Sequence, residues 1–143
     1  MSIIDFSSLE IALTQLKKSH AFLKSSSSDN DRDMYEQFRA ATIQAFEFTY
    51  ERAWKLIRRQ LGDIVANPEE IPAMDFRDLM RAAADAGIIR HSAKFMIYRE
   101  MRNITSHRYE ETSAEAVISV VDDFIKDMDY LLDQLRRRNA ESD

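Results

Sequence analysis

Two glycines and two prolines are all that interrupt this chain of 143 residues. Turn-rich β folds lean on Gly for positive φ and on Pro for fixed bends, so their scarcity leaves long helices as the natural solution. The 45% hydrophobic content can supply a core, and the length fits one domain, 1–143. The expected fold class is all-α, an up-and-down bundle of three long and two short helices.

Phe6, Leu9, Leu13, Leu16, His20 and Leu23 recur at steps of three and four, which predicts an amphipathic helix over roughly 6–24. His20 falls in the apolar stripe and reads as a satisfied core or edge residue. Residues 25–31 form a polar loop, Ser-rich from Ser25 to Ser28 and ending in the N-cap residues Asp29, Asn30 and Asp31. A second helix is predicted from about Arg32 to Val65 with two apolar stripes. One carries Phe38, Ala41, Ala45 and Phe48; the other carries Ile43, Phe46, Tyr50, Ala53, Ile57, Leu61 and Ile64. So much apolar surface needs several neighbours, which makes this the central helix. Glu47, Glu51 and Lys55 follow at steps of four on it, and Glu51 before Lys55 is the favourable order for a helical ion pair. Trp54 reads as core, with a partner interface as second choice.

Residues 67–74, with Pro68 and Pro72, read as a loop. Asp75 is the expected N-cap of a short helix through Phe76, Leu79, Met80 and Ala83 that Gly87 stops. Ser92 is expected to cap the next helix, which carries Phe95, Tyr98 and Met101. Thr112 and Glu115 form a capping-box pattern that opens the last helix, with its stripe at Val117, Val121, Phe124, Met128, Leu131 and Leu135. Ile118, Ile125 and Leu132 lie beside that stripe, more apolar surface than one antiparallel neighbour needs, which predicts a helix-mediated homodimer. Arg136, Arg137 and Arg138 answer the macrodipole at its end. The core is expected over 6–137, with 138–143 as a tail.

No cysteine is present, so disulfides and thiolate chemistry are excluded. With no basic-then-apolar leader and no apolar run approaching 18 residues, a soluble, cytoplasmic protein that does not touch membranes is expected. The net charge of −5 and pI of about 5.3 argue against broad nucleic-acid binding. Yet Arg90, Lys94, Arg99, Arg102 and Arg108 face only Glu100 between Arg90 and Tyr109, the one basic block outside the final helix end. Glu-x-x-His, His-Glu-x-x-His, glycine-rich phosphate loops and dinucleotide fingerprints are all missing, and His107 with Glu111 is too little for a metal site. No metal and no cofactor are expected.

The chemistry concentrates in Met101-Arg102-Asn103-Ile104-Thr105-Ser106-His107-Arg108-Tyr109. Arginine offers a fixed cationic fork, histidine a proton near neutral pH, and tyrosine a hydroxyl. Positions five apart lie about 140° round a helix, so Arg102 and His107 would not share a face unless the helix ended between them. Ile104 and Thr105 are β-branched, which favours such an end.

Arg102, Asn103, His107 and Tyr109 resemble the R-x4-H-x-Y motif of the HEPN superfamily of small helical proteins. The chain is similar, over about 6–137, to the nucleotidyltransferase substrate-binding proteins, relatives of the HepT toxins. Phe46 to Lys55, Phe76 to Leu79 and Ala86 to Ile89 carry that resemblance with the motif. It implies a HEPN-like homodimer with the motif facing the second copy, and a minimal nucleotidyltransferase as partner. In toxin members it implies a metal-independent ribonuclease, here with Arg102 and His107 catalytic and Asn103 supporting, and Tyr109 as the position modified with AMP. Arg99, Arg108, Glu47 and Glu51 are the expected binding residues around it, for a nucleotide or RNA.

Overall fold

The computed structural model describes residues 3–26 and 31–140. Positions 27–30 of the polar loop and 141–143 of the tail lie outside the described residues. The helices are α1 (Ser7–Ser25), α2 (Arg32–Gly62), α3 (Phe76–Asp85), α4 (Ser92–Ile104), α5 (Glu111–Ser119) and α6 (Val121–Arg138). Two 3₁₀ segments, Pro68–Ala73 and Thr105–His107, connect them, and no strand occurs among the described residues. None of these helices is long and apolar enough to cross a membrane.

α2 is the axis of the molecule. Asp31 caps it by accepting the Met34 N–H at 3.0 Å, and its inner stripe of Ile43, Phe46, Tyr50, Ala53, Ile57 and Leu61 is buried. α1 lies along one side of it, while α3, α4, α5 and α6 cover the rest. Phe46 meets Phe124 of α6 in a tilted contact, ring centroids 4.6 Å apart, and Phe124 meets Tyr98 of α4 edge-on at 5.0 Å. Truncating either phenylalanine to alanine would cost about 3–5 kcal/mol, the usual cavity cost for such a ring. His20 is buried among the apolar residues as expected, and burial lowers its pKa, which favours the neutral ring there.

Gly87 stops α3 for a physical reason visible in the backbone. Its φ is +80°, and the N–H groups of Ile88 and Gly87 turn back to the Ala83 and Ala84 carbonyls at 2.9 and 3.0 Å. α6 reads this turn directly: Arg138 donates to the Ala86 carbonyl at 2.8 Å and the Tyr130 hydroxyl to that of Gly87 at 3.1 Å. Of the other two arginines at that helix end, Arg136 pairs with Glu10 and Arg137 with Asp133. Asn139 closes the bundle by accepting the Ile4 N–H and donating to Gln60.

Several local expectations give way to tertiary contacts. The last long helix breaks at Val120 (φ −100°, ψ −4°), so the bundle has α5 and α6 where one helix was expected. The capping box does not form. α5 begins at Glu111 with no side-chain cap, and the Glu115 carboxylate instead accepts from Arg39 and Tyr35, both at 2.7 Å. Ser92 is the first helical residue of α4 rather than its cap, which falls at His91. The proline loop coils into 3₁₀, with Pro68 in its first turn where a missing N–H costs nothing. α2 ends at Gly62, three residues short of expectation, and passes into a turn. The strip meant for a second copy is largely used within the chain, since Leu132 is buried and Ile118 and Ile125 pack against the core. Exposed apolar side chains occur instead on α1, α2 and α4, at Ile11, Phe22, Met34, Phe48 and Ile97.

Candidate functional site

α4 delivers Arg99, Arg102 and Asn103 on its last turns and then ends where the β-branched pair stands. Thr105 is buried, and its hydroxyl donates to the Arg102 carbonyl at 2.7 Å; Ser106 donates to that of Asn103 at 3.2 Å. These two hydroxyls satisfy carbonyls that the finished helix leaves open. The chain tightens into the 3₁₀ turn, and the Glu110 N–H returns to the His107 carbonyl at 2.9 Å before α5 begins.

α2 holds this segment by two carboxylates one helical turn apart. Arg102 Nε donates to Glu51 Oε1 at 2.9 Å, and Arg108 donates to Glu47 Oε1 at 2.7 Å. The expected Glu51–Lys55 pair is absent among the described residues. Glu51 is taken by Arg102 and by the Trp54 indole N–H at 3.2 Å, and the Lys55 ammonium lies 6.0 Å from the Trp54 ring. A partner 51 positions away thus outcompetes a neighbour on the same helix.

The motif side chains separate. Arg102 bonds to Glu51 and, more loosely, to Thr105 at 3.4 Å, whereas His107 stands 3.8 Å from the Glu110 carboxylate with its side chain 63% exposed. No hydrogen bond joins Arg102 to His107 within the chain. Tyr109 is 94% exposed, and Asn103 is exposed as well.

Arg102, Arg99 and Asn103 share a cavity of about 390 Å³ with Tyr50, Glu51, Trp54, Arg58 and Phe76. His107 and Tyr109 are not among its walls. Three guanidinium groups there face one carboxylate. Arg99 lies over the Phe76 ring at 4.8 Å, and burial pushes the Tyr50 hydroxyl up to about 12, so it remains a proton donor. Arg58 was missed from sequence because it belongs to no local pattern; Tyr50 was read as core, and Trp54 as core with a partner interface as second choice.

Arg108 and Tyr109 border a different groove, of about 600 Å³, with Arg39 and Glu111. Arg39 is buried and grips Glu111 with both terminal nitrogens at 2.8 Å while also reaching Glu115 at 2.7 Å. Arg32 adds a further contact to Glu111, and the Tyr35 ring lies under both arginines at 5.1 and 5.5 Å. Hydrogen bonds from Arg39 and Arg32 hold the Glu111 carboxyl at about 2. This cluster fixes the start of α5 immediately after Tyr109. The sequence signal for it was slight, one charged residue beside Phe38 among the many charges of α2. No group of three metal-ligating side chains occurs among the described residues.

Fold and site together define a small helical-bundle domain with an arginine-lined aromatic cavity at the end of its fourth helix. The chain belongs to the family described as nucleotidyltransferase substrate binding protein like, whose model matches residues 4–137. It is 45% identical over 100 residues to the probable ribonuclease HepT of Haemophilus influenzae, covering 70% of this chain and 68% of that protein. It is also similar to the solved structure of HI0074 from Haemophilus influenzae, described as revealing the fold of a substrate binding domain of a nucleotidyltransferase. There the TM-score is 0.80 and the identity 34%, covering 92% of this chain and 99% of the other.

Proposed function

We propose that this protein is the partner subunit of a minimal nucleotidyltransferase in the cytoplasm, and that as a homodimer it holds a nucleotide or the acceptor substrate at the Arg102–His107 region. The observation that carries this reading is the excess of guanidinium groups over carboxylates in the aromatic cavity beside Arg102. It gives an acidic chain a place for a phosphate. The apolar groove between α1 and α2, lined by Ile11, Ala41 and Phe48, is the surface we assign to the second copy. Co-expression with a minimal nucleotidyltransferase from the same genome is expected to give one complex on size-exclusion chromatography. Separate elution of the two chains overturns the reading.

A second reading is favoured by the likeness to a protein named as a probable ribonuclease and by the exposure of His107. RNA cleavage would proceed by attack of a 2′-hydroxyl on the adjacent phosphorus, with departure of the 5′-oxygen. One imidazole takes the hydroxyl proton, the second copy's imidazole protonates the leaving oxygen, and Arg102 stabilises the phosphoryl charge. On this reading His107→Ala lowers cleavage by about 10²–10⁴-fold. Cleavage unchanged in that variant rejects it. The partner would silence the activity by transferring AMP to Tyr109: the phenolic oxygen attacks the α-phosphorus of ATP and pyrophosphate leaves. Intact mass after incubation with the partner, ATP and magnesium is expected to rise in the wild type and not in Tyr109→Phe.

A further inference from the structure

We propose that the cavity between α2, the Pro68–Ala73 segment and the last turns of α4 binds a single nucleoside 5′-phosphate, with its base against Trp54 and its phosphate on Arg58 and Arg99. The inference rests on the accessory-subunit reading for the class of ligand. It assigns that ligand to side chains outside the R-x4-H-x-Y motif.

Charge is the first argument. Most of the basic block is already neutralised: Arg90 by Asp127, Lys94 by Asp123, Arg102 by Glu51 and Arg108 by Glu47. Arg58 and Arg99 have no acidic partner among the described residues, and both line this cavity. Its one carboxylate, Glu51, already has both oxygens engaged, by Arg102 and by Trp54. A chain of net charge −5 that leaves two unpaired guanidinium groups at one concave surface is set to receive an anion there. Arg99 is laid against the Phe76 ring, which fixes its plane and leaves its N–H edges for phosphate oxygens.

The aromatic wall decides which anion. Trp54 is partly exposed and its indole is oriented by the bond to Glu51, so a planar base can stack on it at little ordering cost. The Tyr50 hydroxyl and the Asn103 amide line the same cavity and have no side-chain hydrogen bond among the described residues. They supply a donor for a ring nitrogen or ribose oxygen and a donor–acceptor pair for a base edge. Inorganic phosphate would use only the arginines, and an apolar ligand only the rings. At about 390 Å³ the space is at the low end of small-molecule sites, suited to one nucleotide rather than a strand.

Trp54 is the only tryptophan, so its fluorescence reports the site directly. Titration of the full chain with AMP at low salt is expected to give saturable quenching, with adenosine and inorganic phosphate each at least about tenfold weaker. The R58Q/R99Q double variant is expected to lose about tenfold or more in AMP affinity. Trp54→Leu, followed by calorimetry, should lose roughly 5- to 150-fold. A 5′-phosphorylated RNA trinucleotide that competes better than AMP assigns the pocket to an RNA end, and equal competition assigns it to free nucleotide; either supports the site. No saturable quenching at millimolar AMP, or adenosine binding as well as AMP, overturns it. Size-exclusion chromatography with the nucleotidyltransferase separates the two claims. A complex without AMP binding removes the pocket alone, and AMP binding without a complex removes the accessory role alone.

Discussion

In the N-terminal half of α2, Arg32 and Arg39 meet Glu111, Glu115 and Tyr35, and each of these two arginines and two glutamates has an opposite partner. About five turns beyond Arg39, Arg58 stands with Arg99 and Arg102 round a cavity that contains one acid. The first cluster is closed: Arg39 is buried and α5 depends on it for position. The second is open, since Arg58 and Arg99 can be removed without leaving any carboxylate unpaired. Charge balance separates an arginine that the fold needs from one that the fold leaves available.

The largest expected effect tests the closed side. Arg39→Met removes three charge-assisted hydrogen bonds from a buried position and should cost about 2 kcal/mol, moderated because both glutamates remain in contact with water. Urea unfolding measures it, and a cost no larger than that of an exposed arginine would erase the contrast. The next effect is in pH. Hydrogen bonds from Arg39 and Arg32 hold Glu111 at about 2 against an ordinary 4.5. Because the folded-state value is the lower one, its stabilisation is complete above about pH 4.5 and is lost as pH falls through about 2. Glu111→Gln should therefore flatten the acid limb of a stability–pH curve over that window, and an unchanged limb would contradict the assignment. The smallest effect is on the open side. Arg99→Gln and Arg58→Gln should each leave stability within about 0.5 kcal/mol of wild type, and a clear loss in either would mean that the fold itself uses them.

Much of the bundle was legible because helix periodicity and the punctuating residues are local. Asp31, Asp75 and Gly87 mark helix ends in sequence and do so in the structure, and the stripe of α2 is buried as its spacing predicts from Ile43 to Leu61, while Ile64, past the end of the helix, is exposed. What the sequence did not reveal is the choice among competing polar partners. Glu51 had Lys55 at the favourable spacing and took Arg102. Glu115 had a capping position and took Arg39 and Tyr35. Both acids had long-range cations brought to them by packing, which no local rule can rank. The break at Val120 carries neither glycine nor proline to announce it. For the site, resemblance identified Arg102, His107 and Tyr109 as a set, while the structure gives them separate surroundings and adds Arg58, Tyr50 and Trp54 to the cavity beside the first of them.

The grip on Glu111 has a mechanical side. Tyr109 is two residues upstream of it, and two residues of extended chain span no more than about 7 Å. The exposed ring is therefore on a short tether whose fixed end is a salt-bridged carboxylate on a nine-residue helix. A load applied at the ring, by a docked surface or an attached group, cannot dissipate along a slack loop. It is delivered within one step to Arg39 and through it to the central helix.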